Sequence, residues 1–251
     1  MNNNIILVAG KTGTGKSMCL RNIRNPERWL YLNCENNKGL PFRSDFKSKT
    51  ITDPMQVFQA FDRVMHPDHA HKYDGIIIDT LTYLMDMYET NYVLTAPDSR
   101  SAWGEYAQYW KRLMTQYVAK ANVKVAFLGH TADVLNESEQ VNETIVKVKG
   151  SLMNQGIESY FSNVISTKKV PLKKLDFEGA NKTPLLTLTD DEEIVGYKHC
   201  FQTKLTKETV NERIRHPLGM WDKNETFIDN DLQAVFDRLE EYYAPAKKAD
   251  V

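Results

Sequence analysis

The stretch IILVAGKTGTGKS, Ile5 to Ser17, constrains the fold of this chain more than any other. An apolar run meets Gly10-Lys11-Thr12-Gly13-Thr14-Gly15-Lys16-Ser17, a full match to G-x-x-x-x-G-K-[ST]. A strand that turns through glycines into a helix aims successive backbone N–H groups at one point, and the helix start adds partial positive charge. That arrangement fits a chain of phosphates. Lys16 is placed to neutralise the outer phosphates and the Ser17 hydroxyl to ligate Mg²⁺, so Gly10 to Met18 form the expected nucleotide-binding segment, with ATP the default ligand. The spacing predicts a helix from Lys16 to Arg24, ended by Asn25-Pro26.

The same alternation of strand and helix continues. WLYLN (Trp29 to Asn33), YDGIIID (Tyr73 to Asp79) and VKVAFL (Val123 to Leu128) read as strands. Asp53-Pro54 opens one helix, and a long helical region spans roughly Ser101 to Ala121. This pattern predicts an α/β fold with a mostly parallel central sheet flanked by helices. After about Asn163 the strand candidates NVISTKKV, PLLTLT and GYKHCFQTKL are shorter and more polar, with hairpin-like spacing. A final amphipathic helix capped by Asp229 or Asn230 follows. We expect one domain over 1–243, with a core to about 170, an extension over about 171–243 and a disordered tail at 244–251.

With 251 residues, 41% of them hydrophobic, the chain can bury a full core. A formal charge of −1 means that any nucleic-acid site must be a local basic patch. There is no signal-peptide pattern and no apolar run of membrane-spanning length. Cys19, Cys34 and Cys200 are isolated, which suits a reducing cytoplasmic compartment.

Three further residues complete a candidate site. Asp79 ends an apolar strand and is the natural second partner for Mg²⁺, while Thr80 and Thr82 either position water or cap the next helix. No glutamate follows Asp79, so Glu35, after the WLYLN strand, is the candidate to orient or deprotonate the attacking water. Gly129-His130 ends the third strand. A neutral imidazole there would touch the terminal phosphate or its water and open the polar loop that follows, linking the two.

In that order, Gly10 to Ser17, Glu35, Asp79 and His130 resemble the RecA-like P-loop NTPase core. The chain is similar in particular to the short RecA-like recombination ATPases of bacteriophages, the fourth class of Sak proteins. YDGIIIDTLT, the strand ending in LGH, and the closing PLGMW and IDNDLQAVFDRLEEYY carry that resemblance. It implies ATP-dependent binding of single-stranded DNA, a role in annealing or strand exchange, ATP held between subunits of a filament or ring, and residence in a bacterial host's cytoplasm. The net acidity leaves a role for a single-strand-binding protein that delivers the DNA.

In such a core the stretch Thr131 to roughly Gly156 would be a mobile loop facing DNA, with Lys147 and Lys149 on one face. From 141 to 182, seven lysines stand against four acids, a surplus that suits backbone contacts without base readout or simply a solvated face. Lys168 and Lys169 are candidates to reach a neighbouring subunit's terminal phosphate. His66, His69 and His71 read as a polar connector rather than a metal site. Trp103, Tyr106, Tyr109, Trp110, Leu113 and Tyr117 read as a packing stripe. Two other functions fit the motif: a small-molecule kinase, although no arginine cluster marks a lid, and an ATP-binding assembly switch with little turnover.

Overall fold

Sequence and sheet agree on where the phosphate loop sits. The computed structural model describes residues 2–180 and 182–245, so the expected tail at 244–251 lies almost wholly outside the described residues. The strands are β1 (Ile5–Gly10), β2 (Trp29–Asn33), β3 (Lys47–Thr50), β4 (Gly75–Asp79), β5 (Lys124–Asn136), β6 (Val141–Val146), β7 (Asn163–Pro171), β8 (Tyr197–Gln202) and β9 (Phe227–Asp229). They form one sheet in the order β3-β2-β4-β5-β1-β7-β8-β9, with β6 paired to β5 off that path. Pairing is parallel from β3 through to β7 and antiparallel for β7–β8 and β8–β9.

The helices are α1 (Met55–Met65), α2 (Pro67–Ala70), α3 (Leu81–Tyr88), α4 (Ser99–Arg112), α5 (Leu152–Gln155), α6 (Asp190–Val195) and α7 (Leu232–Tyr243). They cover both faces, which is why β4 and the inner half of β5 read as continuous apolar runs. The two-residue period of each strand divides the core. Leu7, Ile76 and Ile78 face the α1, α3 and α4 side with Phe61, Leu84 and Trp110. Ile6, Val8 and Ile77 face the other, with Trp29 and the α7 residues Phe236 and Leu239. Tyr106, Tyr109, Trp110 and Leu113 are buried in the first of these clusters, so the aromatic stripe is packing. This is an α/β P-loop NTPase fold with a C-terminal antiparallel strand pair.

Several expectations need correction. The helix expected over Lys16 to Arg24 is a single 3-10 turn, Ser17–Leu20, followed by further turns. Asn25, in the left-handed region at φ 51°, redirects the chain into β2. The strand expected to stop at Leu128 runs to Asn136 as β5. The region expected to be a mobile loop from Thr131 therefore begins as a hairpin, with Thr131 opposite Val146 and Asn136 opposite Val141. PLLTLT forms no strand. Helix α7 is capped by Asp231, which accepts from the Gln233 and Ala234 N–H groups, and not by Asp229 or Asn230.

His66 caps α2 by accepting from the Asp68 N–H at 3.3 Å, and no metal-binding cluster of His, Cys, Asp or Glu occurs among the described residues. Among them, too, no helix is long and apolar enough to cross a membrane.

Candidate nucleotide site

The parallel register sets the site. Gly10 lies opposite His130, and Asp79 lies between Asn33 and Leu128, so the loop, Asp79, His130 and the β2 exit share one sheet edge. Ligands in open α/β sheets bind at this carboxyl edge. A cavity of about 310 Å³ opens there, lined by Gly13, Gly15, Lys16, Ser17, Glu35, Asp79 and His130 among others.

Lys16 is buried, and its ammonium donates to the carbonyls of Gly10 at 3.1 Å and Lys11 at 2.9 Å. Burial lowers its pKa to about 8, against the opposing pull of Asp79 and Glu35. Asp79 is buried, and its Oδ2 accepts from Ser17 Oγ at 3.0 Å and Tyr31 Oη at 2.8 Å. Its Oδ1 is buried with no hydrogen-bond partner among the described residues. Burial raises its carboxyl to about 6, with the Tyr31 and Ser17 hydroxyls acting in the opposite direction. A hydroxyl beside a carboxylate with a free buried oxygen is a donor set that fits Mg²⁺, which takes oxygen ligands and keeps several waters.

Glu35 follows β2, its N–H held by Asn33 Oδ1 at 3.0 Å and its carboxylate near Lys38 Nζ at 3.4 Å. It faces the same cavity as Lys16 and Asp79. His130 is half-buried, and its backbone N–H donates to Thr82 Oγ1 at 3.0 Å, which gives Thr82 a definite structural role. Burial and the Lys16 charge lower its pKa to about 4, so the ring is neutral at pH 7. Its carbonyl accepts from the Lys147 N–H at 2.8 Å, tying the site to the returning hairpin strand.

The basic candidates differ in surroundings. Lys147 is exposed on the hairpin's return. Lys149 instead pairs with Asp86 at 2.7 Å and with Glu89, and Lys168 pairs with Glu212. Lys169 lies over the Tyr197 ring, 3.7 Å from its centre. Lys11, within the loop, pairs with Asp133 of β5 at 2.7 Å.

Sequence reasoning missed Tyr31, His199 and Asn230. Tyr31 looks like any core aromatic of a buried strand. His199 and Asn230 lie far along the chain, and only the antiparallel addition of β8 and β9 beside β7 brings them to the loop.

Residues 2–183 match the family described as AAA domain. The chain belongs to that family. No curated protein matches it. The AAA domain match contains the loop, Glu35, Asp79, His130 and the whole β5–β6 hairpin, whereas β8, β9 and α7 follow it. An AAA-type ATPase domain with this donor set is a nucleotide site of the hydrolytic kind. Bound there, Mg²⁺ would be held by Ser17 and Asp79 and would neutralise charge developing on the transferring phosphate.

Proposed function

We propose that this chain is an ATP-hydrolysing, single-stranded-DNA-binding recombination protein of phage type, acting in annealing or strand exchange as a filament or ring. One observation carries the reading: β5 is a single strand that crosses the sheet to His130 at the nucleotide cavity and continues unbroken into an exposed hairpin. Lys16 holds the outer phosphates, Glu35 orients the attacking water, and the neutral His130 ring donates to or accepts from the group at the terminal phosphate. A shift at His130 reaches Lys147 through one backbone hydrogen bond.

Lys147 is the lysine best placed for phosphate-backbone contact, because Lys149 and Lys168 are already paired with acids. The mild net acidity and the acids of the hairpin make the contact weak and salt-sensitive, which suits delivery by a single-strand-binding protein.

Fluorescence anisotropy of a labelled single-stranded oligonucleotide tests the reading. Affinity should be at least about five-fold higher with a non-hydrolysable ATP analogue than with ADP, a coupling of ordinary size. Lys147→Ala should weaken binding and reduce the salt slope by about one. Equal affinity in both nucleotide states, or no binding at low salt, would contradict it.

A further inference from the structure

Two residues beyond the AAA match hold carbonyls of the phosphate loop. Asn230, in the turn between β9 and α7, is 1% exposed, and its Nδ2 donates to the Gly15 carbonyl at 2.7 Å. The Cys19 N–H donates to the same carbonyl at 3.1 Å. His199 of β8 places Nε2 3.2 Å from the Gly13 carbonyl and lines the nucleotide cavity.

A trans peptide points its C=O and the following N–H in opposite directions. Fixing the Gly15 carbonyl on Asn230 therefore turns the Lys16 N–H away from Asn230, and fixing the Gly13 carbonyl on His199 turns the Thr14 N–H away from His199. The other end of the Asn230 amide, Oδ1, is buried without a partner among the described residues. A buried amide left half-satisfied is costly. Among the described residues, its one side-chain bond is the one to the loop.

Close packing agrees with this. A Cβ on Gly15 would lie 2.7 Å from Asn230 Nδ2 and 3.4 Å from the His199 side chain, and Gly15 has φ +95°. The glycine is needed here both for its backbone conformation and for the approach of the C-terminal wall.

We propose that Asn230 is a positioning residue for ATP binding, assisted by His199, and that β8, β9 and the start of α7 are a working part of the nucleotide site. The proposal rests on nucleotide binding at the loop and not on DNA binding.

The test is titration of a fluorescent ATP analogue into the full chain, with thermal melting of each nucleotide-free protein alongside. Asn230→Ala should raise the Kd about ten-fold. Arg238→Ala, which breaks the α7 ion pair with Glu225 without touching the loop, should lower the melting temperature and leave the Kd within two-fold. His199→Ala, at a half-buried position, should raise the Kd about three-fold and serves if Asn230→Ala does not fold.

The proposal is overturned by an unchanged Kd in folded Asn230→Ala, by an equal rise in Arg238→Ala, or, where Asn230→Ala does not fold, by an unchanged Kd in His199→Ala. Failure of the unsubstituted chain to bind the analogue would instead overturn the proposed function.

Discussion

Lys16→Ala should abolish measurable ATP turnover and weaken ATP binding by on the order of 100-fold, as expected for losing one or two charge-assisted hydrogen bonds to phosphate. The ammonium is poised but not committed: its partners without ligand are two neutral carbonyls of its own loop, those of Gly10 and Lys11. Exchanging them for phosphate oxygens replaces neutral acceptors by charged ones in a site where burial already disfavours the unpaired cation. The fold should tolerate the change, because the Lys11 carbonyl keeps the Thr14 hydroxyl as a donor at 2.7 Å. Equilibrium binding of a fluorescent ATP analogue together with melting curves would separate the two effects. An ATP affinity within three-fold of the parent would exclude Lys16 from phosphate binding.

Asp79→Asn should act in opposite directions on activity and stability. Hydrolysis should fall on the order of 100-fold as the anionic oxygen for Mg²⁺ is lost. Stability of the nucleotide-free protein at pH 7 should rise. The Asp79 carboxyl is raised from 3.8 to about 6, so the folded state holds its proton more tightly than the unfolded chain. Stability from this group is present below pH 4 and is lost as pH climbs from about 4 to 6, leaving a penalty of about 3 kcal/mol at neutral pH. An asparagine cannot ionise and keeps an oxygen for Ser17 and Tyr31. Melting temperature measured from pH 4 to 7 should therefore be higher by about 6–12 °C at pH 7 in Asp79→Asn and flatter with pH. A lower melting temperature at pH 7 would show that the carboxylate is stabilising after all.

The parts of the site legible in the sequence are those fixed by local chemistry. A glycine-rich turn after an apolar strand leaves few alternatives, and so does an aspartate ending a buried β-branched run. The alternation of strands and helices likewise specified a parallel sheet, because covered strands lose their polar faces.

What was illegible depends on distance or on competition. The helix expected after the loop shrank to one turn, since the chain must turn at Asn25 to reach β2. The end of β5 was misplaced because Thr131, Asp133 and Asn136 interrupt the apolar run, and such a mixed segment suits an exposed hairpin arm as well as a loop. Asp231 outcompetes its two neighbours as the α7 cap while Asn230 is drawn inward to Gly15 and Asp229 to Thr187 and Lys198. The ion pairs of Lys149 and Lys168 join residues 44 to 63 positions apart, which no local pattern reveals.

His130 is proposed to carry information between nucleotide and DNA along β5. Steady-state phosphate release from Mg-ATP, with and without single-stranded DNA, tests it in the parent chain and in His130→Ala. DNA should raise turnover several-fold in the parent, whereas His130→Ala should still bind ATP but show no rise. Turnover unaffected by DNA in the parent, or equally stimulated in His130→Ala, would contradict it.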